Sequence, residues 1–324
     1  MAIHVVTCGG TIASWIDGRS ARLLAGHEVL ESVRESDDLR LHDLGGGPSW
    51  DLTLTDLAAI ATYAVACANK PGSDGVVVTL GTDTLELTAF LADLLLGPGT
   101  RPAVAFTGSM RFGSDTSADG PGNIEDAVAV VKSGELAGSL VVFGGSVFAS
   151  REATKVDATA IQPFDAPMGP VGSIPPGGAF HVLRSPDRSH YPNPPLRAET
   201  DVVVLKVFPG MTPTLLEAAL DMGARGVIIE GTPSMSVPSA LLPAIRRTTS
   251  EDIPVVVTSP CRVLGTQRHV RSGTTTLAAR GAIPAGGLPT TKALAALMVA
   301  MAVEPTVAGA RRWFDAFHSR RVLP

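Results

Sequence analysis

Tyrosine, lysine and cysteine are scarce in this chain: its 324 residues hold two tyrosines, five lysines and three cysteines. Cys8, Cys67 and Cys261 are odd in number and far apart, with no CxxC pair, which argues against a disulfide framework and a thiolate metal centre. The histidines, His4, His42, His181, His190, His269 and His318 besides His27, show no metal-ligand spacing, so neither metal nor cofactor is expected. No apolar run reaches the ~18 to 20 residues that span a bilayer; Ala293–Val303, the longest tempting segment, reads as a buried helix. The formal charge of −5 argues against a nucleic-acid partner. Arg311-Arg312 and Arg320-Arg321 form the one basic cluster and read as a solvated helix face. The opening residues Met1-Ala2-Ile3 carry no basic n-region, so the expected location is cytoplasmic. There is no G-x-S-x-G elbow for a serine hydrolase, and Gly113–Gly122 lacks the spacing of a nucleotide fingerprint.

What the chain does have is a repeated order of short apolar strands and helices. Ile3–Thr7, Gly75–Leu80, Ala103–Thr107 and Leu140–Phe143 are apolar runs without alternation, as strands buried on both faces require. Helical stretches lie between them at Asp56–Asn69, Leu85–Leu96 and Asn123–Lys132, the last stopped by Gly134. The order implies an α/β fold with a largely parallel sheet and ligands at the carboxyl ends of its strands. Ser185–Pro195, with three prolines near its end, reads as a linker. A second, smaller series follows: Val202–Phe208, Leu215–Met222, Gly226–Glu230, Leu241–Arg247 and Val255–Ser259. The expected organisation is an N-terminal catalytic domain over 1–185, a linker over 186–200 and a C-terminal α/β domain over 201–324.

Two strand-end turns carry the chemistry. Thr7-Cys8-Gly9-Gly10-Thr11-Ile12-Ala13 follows the first strand, and Gly81-Thr82-Asp83-Thr84 follows the second. Each presents threonine hydroxyls on a glycine turn, and a threonine becomes a nucleophile when a neighbour takes or polarises its proton. Cys8 reads as a small buried residue. Asp119-Gly120-Pro121 reads equally as a structural turn or a ligand contact. Lys155 is the lysine whose ammonium, placed beside Asp83 and Thr82, would tune a hydroxyl.

Those turns, with Glu86, Thr88-Ala89, Thr107-Gly108-Ser109-Met110-Arg111, Asp119-Gly120-Pro121 and Asn123, resemble the bacterial L-asparaginases, amidohydrolases with a threonine nucleophile. The resemblance runs from the first strand to the C-terminal helix and takes in Ser49 with Asp51, Thr154-Lys155, Leu288-Pro289 and Lys292-Ala293. It implies a larger flavodoxin-like N-terminal domain, a smaller C-terminal α/β domain and no cofactor. It also implies a homodimer or homotetramer in which a neighbour's C-terminal domain completes each site. By the resemblance, Thr11 is the nucleophile, Thr82, Asp83 and Lys155 are the second catalytic group, and Asp83 also binds the substrate's α-ammonium. Ser49 grips the α-carboxylate with help from the backbone of Gly10 and Gly81, and Ser109 stands beside the second turn where alanine is more usual. The reaction implied is L-asparagine to L-aspartate and ammonia. One departure stands out: the family's lid tyrosine has no counterpart in Trp15–Leu30, where Ala21–Leu24 occupy the region, and Trp15, Arg22 and His27 are the local substitutes. That departure admits a related enzyme for D-asparagine, glutamine or a biosynthetic amide, or a catalytically weak amino-acid-binding protein.

Overall fold

A computed structural model describes residues 2–31, 33, 39–98, 102–186, 188, 196–261 and 277–318. Most of the Ser185–Pro195 stretch lies outside these residues, with His190 and Tyr191, and so do His269 and Arg320-Arg321. The chain forms two compact units, Met1–Ser189 and His190–Pro324.

The first unit starts with β1 (Ala2–Thr7), buried along its whole length. A hairpin of β2 (Ser14–Asp17) and β3 (Ser20–Leu23) follows, then the short helix α1 (Gly26–Leu30) and β4 (Leu39–Asp43). Helix α2 (Leu54–Ala68) opens with a capping box in which Thr53 and Asp56 satisfy each other's backbone N–H groups. Then come β5 (Ser73–Thr79), α3 (Thr82–Leu96), β6 (Val104–Thr107), α4 (Gly120–Ser133), β7 (Ser139–Phe143) and β8 (Ser146–Ala149). Helix α4 has proline in its first turn and ends on Gly134 in the left-handed conformation, the residue expected to stop it. Short strands β9 (Thr154–Lys155) and β10 (Phe164–Asp165) pair with each other, and β11 (Gly172–Ser173) and β12 (His181–Val182) extend the main sheet. The sheet order is β12-β11-β8-β7-β6-β5-β1-β4; the five strands from β7 to β4 are parallel, and β8, β11 and β12 join antiparallel. Parallel registry sets Thr7 beside Thr79 and Thr79 beside Thr107, so three strands end at one level and their following turns meet.

The floor of this sheet is held by a buried ion pair. Arg188 Nε lies 2.9 Å from Asp93 Oδ1, and the same carboxylate oxygen accepts the Ser139 N–H at 2.8 Å. Arg188 also donates to the Gly97 carbonyl, which ends α3. Gly138, at φ 90°, leaves the room: a Cβ there would collide with Arg188 Nε. Removing one partner of such a pair strands the other charge, so Arg188→Ala is expected to cost ~3 to 5 kcal/mol. The midpoint of urea unfolding, read with an unchanged slope, measures it.

The second unit is a four-stranded parallel sheet in the order β13 (Val202–Lys206), β14 (Gly226–Glu230), β15 (Val255–Thr258) and β16 (Ile283–Pro284). Helices α5 (Thr214–Asp221) and α6 (Leu242–Ser250) connect it, and Thr290–Val303 forms the buried helix expected from its apolar run. In the last helix, Val307–His318, Arg312 pairs with Glu304 and Arg311 donates to the Gly281 carbonyl. Among the described residues no helix is long and apolar enough to cross a membrane.

Candidate active site

The site forms where three glycine turns touch backbone to backbone. Gly9 and Gly10 both take positive φ, 72° and 86°, which only glycine adopts without strain. A Cβ on Gly10 would lie 2.5 Å from the Cα of Gly81, and one on Gly9 would strike the backbone of Gly46 and Gly47 at 2.8 Å. The Gly10 N–H donates to the Gly47 carbonyl at 3.1 Å. Gly81 in turn has no room for a side chain, because Ser49 Oγ would stand 2.5 Å from its Cβ. Glycine at these positions thus draws Thr11, Ser49 and Thr82 to one end of the sheet.

Thr11 is the first residue of a single 3-10 turn, Thr11–Ala13, and is half-buried. Ser49 is 3% exposed at the head of a second such turn, Ser49–Asp51. Thr82 and Asp83 begin α3, whose first-turn N–H groups lack intrahelical partners and carry the positive end of the helix dipole. Lys155 arrives from β9: its Nζ donates to Thr82 Oγ1 at 2.8 Å and to Asp83 Oδ1 at 2.6 Å. The backbone of Lys155 is fixed by its own N–H donating to Glu86 Oε2 at 2.7 Å, one turn along α3. The ammonium is 19% exposed, while the Asp83 carboxylate is 51% exposed. One half of Asp83 is therefore engaged by lysine and the other is open to a cationic ligand. The structure brings together Thr82, Asp83 and Lys155 by hydrogen bonds, and Gly10, Gly81 and Ser49 by contact.

A profile of the asparaginase N-terminal domain matches residues 2–188, and a profile of the glutaminase/asparaginase C-terminal domain matches residues 201–314. This chain belongs to the asparaginase family. A probable L-asparaginase of Deinococcus radiodurans is 34% identical over 333 residues, covering 96% of each chain. A glutaminase-asparaginase of Pseudomonas aeruginosa is 29% identical, covering 79% of this chain and 75% of its own length. The crystal structure of a probable cytoplasmic L-asparaginase from Campylobacter jejuni superposes with a TM-score of 0.83 over 97% of this chain and 98% of that one; at 23% identity it speaks to the fold. Members of the asparaginase family are amidohydrolases, and this chain is an enzyme of that type.

The remaining asparaginase motif residues sort themselves by their contacts. Asp119 is a loop organiser: its carboxylate accepts the N–H groups of Met110 and Arg111 and the side-chain amide of Asn123. Asn123 also donates to the Gly108 carbonyl and accepts the Gly144 N–H, so one helix turn fixes two strand-end loops. Ser109 is buried and spends its hydroxyl on the Arg111 carbonyl at 2.8 Å. Cys8 is buried, and burial, helped by the negative charge of Asp43, pushes its thiol up to about 12. It stays protonated and is no rival nucleophile.

The stretch that departs from the family pattern, Trp15–Leu30, folds as the β2–β3 hairpin followed by α1. Trp15 lies over Gly113, Arg22 pairs with Glu28 at 2.7 Å, and His27 is exposed. Sequence reasoning missed the residue that anchors the start of α1. Asp43, at the end of β4, accepts the Gly26 N–H at 2.7 Å, the Thr7 hydroxyl at 3.0 Å and the Gly45 N–H at 3.0 Å. It thereby joins the start of α1 to the end of the strand that leads into Thr11. It missed Gly46 and Gly47 for a different reason: they act through backbone contact and leave only a short glycine run as a trace.

The bond from Gly26, then those from Gly45 and Thr7, hold the Asp43 carboxyl below its usual range against the opposing cost of burial. Its folded pKa is thus below its unfolded one. The stabilisation is present above the unfolded value of ~3.9 and is lost as pH falls through the folded value. Asp43→Asn is expected to lower the melting temperature at pH 6 and to flatten its fall between pH 5 and 3, as scanning calorimetry would register.

Proposed function

We propose that this chain hydrolyses L-asparagine to L-aspartate and ammonia, with Thr11 as the nucleophile. The observation that carries the reading is the Lys155–Thr82–Asp83 cluster at the start of α3, next to the Gly10–Gly81 contact that brings Thr11 alongside. Thr11 Oγ1 attacks the side-chain amide carbon. The oxyanion that develops is met by strand-end and helix-start N–H groups, donors of the kind worth ~3 to 4 kcal/mol in acyl transfer. The Thr11 proton passes to the departing nitrogen as the C–N bond breaks and ammonia leaves, and a water oriented by Thr82 then cleaves the acyl-enzyme, returning a proton to Thr11. Lys155 donates to the Thr82 oxygen and leaves the Thr82 proton free to direct that water, while Asp83 takes the α-ammonium with its open oxygen. Ser49 binds the α-carboxylate. A lysine held between a threonine and an aspartate serves no purpose in a protein that only binds, and this weighs against the binding-protein reading.

A second reading, glutamine as substrate, has one observation in its favour: the similar protein of Pseudomonas aeruginosa is a glutaminase-asparaginase. The chain acts as a homodimer or homotetramer in the cytoplasm. Exposed Val204, Phe208, Leu215 and Met222 on the second unit suit burial by another copy. Ammonia release from L-asparagine, D-asparagine, L-glutamine and larger β-amides tests the substrate. L-asparagine should have the highest kcat/KM by at least ~10-fold, the discrimination expected for one methylene. A higher value for glutamine would install the second reading.

A further inference from the structure

Behind the nucleophile strand, on the face covered by α2, lies a partly buried group that the hydrolysis does not use. His4 of β1 and His42 of β4 meet ring to ring, Nδ1 to Nε2, at 2.8 Å. Tyr63 and Cys67 come from one face of α2, four residues apart, and the Tyr63 hydroxyl bonds the other nitrogen of His42, Nδ1, at 2.9 Å. His4 is 2% exposed and Cys67 is 1% exposed. The donor atoms of His4, His42 and Cys67 all lie within 4.8 Å of one another. The three positions are too far apart in the chain to look like a metal motif; strand pairing and one helix face assemble them.

We propose that His4, His42 and Cys67 form a three-coordinate site for copper(I). Two imidazoles and a thiolate are a soft donor set that suits zinc or copper(I). Charge chooses between them. Lys70 and Arg40 both act electrostatically on the two histidines, and Lys70 Nζ stands 6.0 Å from the Tyr63 ring. A monovalent ion with one thiolate leaves the site neutral, whereas a divalent ion leaves a net positive charge that those neighbouring cations repel. In the ordinary neutral form of histidine each imidazole has a ring-nitrogen lone pair to offer. Tyr63 fixes the orientation of His42 from outside, as the second hydrogen bond of a ligating histidine does elsewhere. Two ligands ~2.0 Å from one ion stand ~3.3 to 3.5 Å apart, so the rings need part by less than ~1 Å to admit it. On binding, the proton held between the two ring nitrogens moves to the far nitrogen of its own ring, two Cu–N bonds and one Cu–S bond form, and the Cys67 proton goes to solvent. Copper remains in the +1 state and no electron is transferred.

The test is an anaerobic titration of the full chain with copper(I) against a chromogenic chelator, in a Cys261→Ser background that removes the exposed thiol. One equivalent should be retained, with thiolate-to-copper absorption in the ultraviolet and a raised melting temperature. Cys67→Ala should weaken retention by at least ~100-fold, and Tyr63→Phe, which spares the ligands, by ~10-fold. Cys67→Ala should leave ammonia release unchanged, since it touches no residue of the catalytic turns. Equal retention by Cys67→Ala, no retention by the parent, or displacement of copper by equimolar zinc would each overturn the proposal. None of these outcomes bears on the amidohydrolase reading.

Discussion

Replacing Thr11 with alanine is expected to lower kcat for L-asparagine by at least ~10³-fold while leaving L-aspartate binding within a few-fold of the parent. The reason lies in how the site is divided. Thr11 would supply the attacking oxygen, whereas Ser49 and Asp83 would hold the amino-acid end. Removing a nucleophile abolishes the covalent route and leaves only what binding and oxyanion contacts contribute. A 10³-fold loss is ~4 kcal/mol of barrier. Alanine at this position keeps the 3-10 turn, because the turn is set by Gly10 and its contact with Gly81 rather than by the threonine side chain. Steady-state ammonia release and a thermal shift with L-aspartate read the two halves separately.

Lys155→Met is expected to cost ~10² to 10³ in kcat, the range for losing a proton-managing group, with a smaller change in KM. Methionine keeps an aliphatic stem of similar length and keeps the backbone bond from residue 155 to Glu86, so β9 stays in place. What it removes is the pair of bonds to Thr82 and Asp83. Without the ammonium, Thr82 loses the partner that orients its hydroxyl, and Asp83 is left with its full charge and freedom to rotate. Thr82→Val should fall in the same range. The double variant should be little worse than either alone, because groups acting as one unit are not additive. A Lys155→Met enzyme with normal kcat and raised KM would instead make the lysine a substrate-binding residue.

The parallel core was legible because a strand buried on both faces is apolar without alternation along its buried stretch, as Val5-Val6 in β1 and Val76–Val78 in β5 are. The β2–β3 hairpin was not, since its residues are mostly exposed and its turn, Gly18-Arg19, offers no alternating flanks. Nor was β4, an edge strand reading Leu-Arg-Leu-His-Asp, whose charges look like a loop until β1 is seen beside it. Within the site, Thr11, Thr82 and Asp83 stand out because each follows a strand directly. Lys155 comes from 72 residues beyond Asp83 and is joined to it only by the fold. Asp43 and the Gly46-Gly47 turn left almost no sequence signal, since one works through backbone donors and the other through absent side chains.

The most direct measurement is to let the enzyme turn over L-asparagine in the presence of hydroxylamine and to quantify ammonia, aspartate and the β-aspartyl hydroxamate together. An acyl-enzyme on Thr11 can be cleaved by either nucleophile after ammonia has left. The expected result is hydroxamate formed at the expense of aspartate, with ammonia release not slowed and all three products lost in Thr11→Ala. Ammonia and aspartate released in equal amounts with no hydroxamate, or undiminished turnover by Thr11→Ala, would contradict a threonine acyl-enzyme.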